Sequence, residues 1–367
     1  MIPFVDLSKE FELFKSEITS KLNKVLFNSD FILGEEVKKF EENVIKMYNI
    51  QYAVGVGSGT DALKFALKAA NIGTGDEVIT TPFSFVASTG AILQTGATPV
   101  FADIDPDTFN INPDNIEAKI NDKTKAVLIV HLFGNPCNME QIVSIVKKHN
   151  LLLIEDCAHS FGSKYNGQFV GTFGNAGCFS FYPSKNLGAY GDAGIIITNS
   201  SEYYRKYKLL RNHGINDKND FVIPGCNSRL DSIQAAILNV KIEYFNQFTD
   251  KRNKLAKLYL ENLRDIEEII PQKVTRNSFH TYNLLTLRVK KRDELKNYLN
   301  NNGISCSVYY KTPIPAQPAM KFLNIPKNDF FIASNIANQV ISLPLYPSLP
   351  EESVVNITEK IKEFYAK

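Results

Sequence analysis

The sequence has almost no excess of charge of one sign: 41 basic residues against 39 acidic ones leave a formal net charge of +2 over 367 residues. That balance argues against a chain built to coat nucleic acid or a membrane surface, although it leaves room for a local anion site. Cysteine is scarce and unpatterned. Cys137, Cys157, Cys178, Cys226 and Cys306 are odd in number and far apart, so they form neither a CxxC zinc arrangement nor a paired disulfide framework, and reduced thiols are expected. No apolar run approaches the ~20 residues a membrane span needs, and Met1 to Leu7 lacks the basic stretch and apolar core of a secretory leader. Repeats and low-complexity tracts are missing too. These absences predict a soluble, cytoplasmic protein with no metal site and no nucleic-acid or membrane partner.

What is present is length and alternation. The chain exceeds the ~250–300 residues at which single cores stop growing, so two packed units are expected. From Ser8 to about Tyr48 apolar residues recur at helical spacing. Strand and helix signals then alternate. Strands are predicted at Tyr52–Val56, Val78–Thr81, Thr98–Ala102, Ala126–His131 and Leu151–Ile154, with helices from about Thr60, at Phe85–Leu93, Ile116–Ile120 and Met139–Lys148. Continuous apolar strands alternating with helices indicate an α/β fold, with a mostly parallel sheet covered by helices. Past Asn227 one amphipathic helix is expected to run to about Leu263, with a break around Asn246 to Asp250. The predicted division is therefore a large unit over 1–248, with an N-terminal helical segment, and a smaller α+β unit over 249–367. Thr312 to Pro318 is rich in proline but short and flanked by aromatics, which suggests an ordered loop.

Three segments carry chemistry. Phe179-Ser-Phe-Tyr182 reads as strand, breaks at Pro183, and passes Lys185, Gly188, Gly191 and Gly194 before Ile195-Ile-Ile197 resumes. A lysine in a turn between two buried strands is either a surface loop residue or an amine nucleophile able to form a Schiff base with a carbonyl. In Val54-Gly-Val-Gly-Ser-Gly-Thr60 a strand enters a small-residue turn and leaves as a helix, which is an anion cradle to which the hydroxyls of Ser58 and Thr60 add donors. The turn lacks the third glycine of a dinucleotide fingerprint and the Gly-Lys-Ser/Thr of a P-loop, and a plain capped helix start is the competing reading. Leu151-Leu-Leu-Ile-Glu-Asp-Cys-Ala-His159 places Asp156 and His159 where an apolar strand surfaces. Asp156 is there either a loop cap or a carboxylate that keeps a heteroaromatic nitrogen protonated.

Ser58-Gly-Thr-Asp-Ala-Leu63, Glu155-Asp-Cys-Ala-His-Ser160, Phe179 to Gly194 and Gly225-Cys-Asn-Ser-Arg-Leu-Asp-Ser-Ile-Gln-Ala-Ala236 resemble, in this order, the nucleotide-sugar aminotransferases of the DegT/DnrJ/EryC1/StrS family. The likeness extends from Pro3 to Pro347. It implies a fold-type I enzyme that uses pyridoxal 5′-phosphate and works as a homodimer with shared active sites. By motif, Lys185 would form the Schiff base with the cofactor, Asp156 would pair with its pyridine nitrogen, and His159, a position where most members have Gln, would lie near the ring. Gly59, Thr60 and Ser180 would hold the phosphate, joined by Asn227 of the other protomer, and Phe85 would stack on the ring. Tyr310 and Gln317 would face the substrate. Pro315 stands where the family often has His, so the sugar contact of that imidazole is absent.

The resemblance further implies a two-stage exchange in which L-glutamate gives up its amino group and leaves as 2-oxoglutarate before a ketosugar nucleotide accepts it. Lys185 disfavours the family's dehydratase branch, which has His there. Lys185 to Asp192 with Asn227 to Asp231 is more similar to members acting on 3-keto sugars. That favours a dTDP-3-keto-6-deoxyhexose as acceptor and dTDP-3-amino-3,6-dideoxyhexose as product, with a UDP-linked 3-keto sugar or a 4-keto-6-deoxyhexose as alternatives. A non-catalytic PLP-binding regulator on the same fold is the rival of another class.

Overall fold

The computed structural model describes residues 1–326 and 329–366. Thirteen strands occur among them: β1 (Tyr52–Val56), β2 (Glu77–Thr80), β3 (Thr98–Phe101), β4 (Thr124–Val130), β5 (Leu152–Asp156), β6 (Lys164–Tyr165), β7 (Gln168–Phe169), β8 (Ala176–Ser180), β9 (Gly194–Thr198), β10 (Ile269–Pro271), β11 (Ser278–Phe279), β12 (Leu285–Val289) and β13 (Val340–Leu343). Seven of them build one sheet in the order β1-β9-β8-β5-β4-β2-β3. β9 runs against both of its neighbours and every other pairing in that sheet is parallel. The strand interiors are largely apolar because helices cover both faces, as Val127-Leu128-Ile129 and Ile195-Ile196-Ile197 show by being wholly buried.

The helical segment expected over 8–48 forms as α1 (Leu7–Asn28) and α2 (Glu35–Tyr48), parted where Ser29 adopts a left-handed conformation. Next come α3 (Gly59–Ala69), α4 (Ala87–Leu93), α5 (Pro113–Glu117) and α6 (Met139–Lys148). α5 begins three residues before the expected Ile116. Asn112 accepts a hydrogen bond from the Asp114 N–H and Pro113 occupies the first turn, and together these start the helix early.

α7 (Ser201–Leu210) precedes α8 (Ser232–Glu243) and α9 (Phe245–Leu263), so the helix expected past Asn227, with its break around Asn246 to Asp250, is two helices that meet slightly earlier, at Tyr244. The boundary expected at 248/249 falls inside α9. That helix packs Phe245 and Phe248 beside the large sheet's clusters and Leu255, Tyr259 and Leu263 into a separate core. The second core surrounds the antiparallel sheet β10-β12-β13 and also takes residues of α10 (Arg292–Asn301) and α12 (Glu351–Tyr365), whereas α11 (Phe331–Gln339) packs back on the large sheet. Ser305 to Tyr310 supplies only a single bridge, Ser307 to Ser342.

One consequence matters for chemistry. β1, β2, β5 and β8 point the same way, so the loops after their carboxyl ends gather on one edge of the sheet. In open α/β sheets that edge is where ligands bind.

Candidate active site

Ser58 to Thr60 follow β1, Phe85 follows β2, Asp156 and His159 end and follow β5, and Ser180 and Lys185 end and follow β8. Lys185 sits in a tight turn closed by its own N–H donating to the Tyr182 carbonyl at 2.8 Å. The turn allows no side chain at Gly188, where a Cβ would lie 2.3 Å from the Pro183 carbonyl oxygen. Lys241 reaches from α8 to donate to the Gly188 carbonyl at 2.5 Å and is itself paired with Glu10 of α1. Asn186 donates to the Thr281 carbonyl at 2.9 Å and accepts from Asn283 at 3.1 Å. The lysine is therefore held from both sides by the rest of the chain.

Burial lowers the Lys185 pKa from 10.5 to about 8, against the pull of the Asp156 carboxylate, which raises it. Lys185 is partly buried, unlike a fully solvated loop lysine. Asp156 is buried and in turn accepts from Ser88 Oγ at 2.7 Å and from the Ala158 N–H at 3.0 Å. Desolvation raises its pKa, while the two donors, the Lys185 ammonium and His131 lower it. His159 Nδ1 accepts from the Phe133 N–H at 3.3 Å, so a neutral ring carries its proton on Nε2. Its pKa is pushed well below 6.5 by burial first and by the Lys185 cation second.

The cradle is equally specific. A Cβ on Gly59 would come 2.6 Å from the Cβ of Ser180, so the glycine lets the head of α3 lie against the end of β8. Thr60 and Ser180 are partly exposed beside it. Ser58 corrects the expectation that its hydroxyl adds a donor for an anion: its proton goes to Asp61 Oδ2 at 3.1 Å and it accepts the Asp61 N–H at 3.1 Å. It is spent as a helix cap.

Phe85 is 59% exposed at the mouth of this edge. Tyr310 comes close enough for the Asp156 carboxylate to help raise its phenol pKa, after burial, and its ring lies 6.4 Å from that of Phe133, which stacks on His159. Asn227 is exposed on the segment before α8. Gln317 folds back on its own turn, its amide donating to the Thr312 carbonyl at 3.2 Å. The loop itself is pinned to the segment after β2 by the Ile314 N–H, which donates to the Pro82 carbonyl at 2.8 Å.

Ser88, Asn186 and Lys241 were not singled out from sequence. A small residue on a helix, an amide beside a lysine and a lysine mid-helix give no signal until the fold brings them to Asp156 and to the turn. Among the described residues His131, Glu155 and Cys157 bring metal-binding atom types within 4.8 Å of one another. Glu155 and His131 are already engaged within the protein. Glu155 accepts from the Gly171, Phe173 and Gly174 N–H groups and from His131 Nε2, while His131 Nδ1 accepts the Cys137 N–H. The cluster braces the 171–174 loop.

The profile of the DegT/DnrJ/EryC1/StrS aminotransferase family matches residues 13–362. A Geobacillus stearothermophilus protein named "Pleiotropic regulatory protein" is 44% identical over 99% of this chain and 98% of its own. A UDP-N-acetyl-3-dehydro-alpha-D-glucosamine 3-aminotransferase of Acidithiobacillus ferrooxidans is 40% identical over 98% of this chain and 97% of its own. A dTDP-3-amino-3,6-dideoxy-alpha-D-galactopyranose transaminase of Aneurinibacillus thermoaerophilus is 40% identical over 99% of both. Among solved structures, DesV of S. venezuelae superimposes with a TM-score of 0.98 at 34% identity, over 100% of this chain and 99% of that one. NtdA of Bacillus subtilis, solved with bound cofactor PMP, gives 0.89 at 31% over 98% of this chain and 85% of that one. No helix among the described residues is long and apolar enough to cross a membrane.

Proposed function

The chain belongs to the DegT/DnrJ/EryC1/StrS aminotransferase family, and from that premise we propose that it moves the amino group of L-glutamate to C3 of a dTDP-linked 3-keto-6-deoxyhexose. It is a sugar aminotransferase of fold type I and depends on pyridoxal phosphate. The acceptor, the donor and the roles of individual residues are our reading. The carrying observation is that a lysine with its pKa lowered to about 8, an anchored buried carboxylate and a glycine-lined helix N-terminus share one sheet edge.

The residues fit the group. Gly59 leaves room at the head of α3, where the first N–H groups lack intrahelical acceptors, and Thr60 and Ser180 add hydroxyls, a donor set suited to a phosphate. Asp156, held by Ser88 and Ala158, offers a fixed anion for a protonated pyridine nitrogen. Phe85 offers an exposed aromatic face and His159 a neutral Nε2–H donor. When bound, the cofactor supplies an aldehyde that condenses with amines and a ring that draws electrons from the adjacent carbon.

The protein's part is proton handling and orientation. The Lys185 amine would take the proton from the α-carbon of glutamate and deliver it to the carbon that carries the cofactor's aldehyde, a task its lowered pKa suits near neutral pH. With the ketosugar the same amine moves the proton in the opposite direction. Tyr310 stands over this edge, and the Pro313 to Gln317 loop borders it through Ile314 and Pro82. We assign the working form as a homodimer in which the exposed Asn227 reaches the partner's phosphate.

The assignment to C3 draws support from relatives named for C3 chemistry on both dTDP and UDP sugars, which keeps a UDP-linked 3-keto sugar as the nearest alternative. A non-catalytic regulator is the second reading, favoured by the name of the relative that is 44% identical. An absorbance titration separates them. L-glutamate should convert the cofactor band, and the 3-keto dTDP sugar, rather than the UDP-linked or 4-keto one, should restore it. Cofactor that glutamate leaves unchanged would favour the regulator.

A further inference from the structure

The turn proposed to receive the phosphate has a carboxylate built into its first helical turn. Asp61 Oδ2 accepts from Ser58 Oγ at 3.1 Å and from Ser228 Oγ at 2.8 Å. Ser228 Oγ in turn accepts the Gly57 N–H at 3.1 Å. One carboxylate thus fixes the Gly57 to Thr60 turn and ties it to a segment 167 residues away in sequence. An ordinary cap needs only the Ser58 link; the Ser228 link shows that Asp61 shapes the turn from outside α3. The arrangement has an electrostatic cost. A carboxylate at a helix N-terminus is normally favourable, yet it opposes a phosphate dianion seeking the same N–H groups.

Lys64, one turn along α3, answers that conflict. Its ammonium lies 2.5 Å from Asp61 Oδ1, the oxygen that neither serine uses, and 3.9 Å from Cys226 Sγ. The Lys64 and Asp61 side chains are only 16% and 26% exposed, so water screens the pair poorly. We propose that Lys64 is a positioning residue that neutralises Asp61, so that the carboxylate can order the turn without repelling the phosphate placed there. The inference rests on the pyridoxal phosphate reading above. It concerns a side chain that acts through Asp61, within the same site.

The test compares apoprotein affinity for pyridoxal phosphate with that for pyridoxal, which lacks the phosphate. Wild type should bind the phosphorylated form far more tightly. In Lys64→Met that preference should fall about tenfold, through the phosphate-bearing ligand alone. Lys64→Arg should keep the preference. Lys64→Met combined with Asp61→Asn should recover part of it, because no uncompensated carboxylate is left, and added salt should narrow the gap between Lys64→Met and wild type. An unchanged preference in Lys64→Met, an equal loss of both ligands, or no recovery in the double variant would each overturn the proposal. A wild-type protein that binds both ligands equally would instead remove the phosphate site itself. Thermal unfolding of each variant separates a folding defect from a binding one, and Lys64→Arg keeps the comparison informative if Lys64→Met is unstable.

Discussion

Ser88 and Asp156, 68 residues apart in sequence, share a buried hydrogen bond of 2.7 Å that gives the carboxylate one of its two donors. Replacing that donor should show whether it matters to the chemistry. In Ser88→Ala, Oδ2 is left in a desolvated pocket, and the Asp156 pKa, already raised by burial, rises further. We expect kcat to fall about tenfold, the size of a lost hydrogen bond to a charged group. The acid limb of the pH profile should move to higher pH, since the anionic form is the useful one. A lower rate with an unmoved acid limb would assign Ser88 to packing alone.

Lys185→Ala should abolish transamination while leaving the fold and the proposed dimer intact, because the turn that carries it is closed by the backbone N–H of residue 185 to the Tyr182 carbonyl. Circular dichroism and gel filtration check the second half of that statement. Residual turnover near the wild-type rate would refute the assigned proton carrier.

The lowered Lys185 pKa has a definite sign. Between about 8 and 10.5 the unfolded chain keeps a proton that the folded apoprotein has released, so unfolding takes up a proton and stability rises with pH across that window. The same titration should control capture of pyridoxal phosphate by apoprotein, with a midpoint near 8. Asp156→Asn removes the charge that raises this pKa and should move the midpoint lower. Stopped-flow absorbance against pH measures both, and a wild-type midpoint near 10 would show that the lysine is solvated.

His159→Gln should keep activity within several-fold of wild type, since a neutral amide N–H replaces a neutral imidazole N–H. His159→Ala should lose about tenfold or more. Wild-type kcat should show no inflection attributable to this ring near pH 6.5, because burial and the neighbouring Lys185 cation keep it neutral. An inflection there that disappears in His159→Gln would contradict the assigned tautomer.

Much of the molecule was legible from the chain because its signals are local. Ile195-Ile196-Ile197, a β-branched run bounded by turn signals, reads as a strand and is one, and the glycine-punctuated turn around Lys185 follows from residues within a few positions of it. The order of strands and helices followed in the same way, together with the family likeness. Where local signals compete the boundaries shift, as at α5, which Asn112 and Pro113 start early, and at Tyr244, where the chain breaks just before the expected stretch and α8 is buried continuously from Ala235 to Lys241 instead of on one face.

Tertiary structure alone decided which groups meet. Nothing near Ser88 marks it as the partner of Asp156, nothing near Lys241 marks it as the clasp on Gly188, and nothing near Ser228 marks it as a second donor to Asp61. Each is a hydrogen bond in which a donor has one proton to give or an acceptor one geometry to offer. The choice among partners is made only when distant segments are packed within about 3 Å, a distance that no periodicity along the chain encodes.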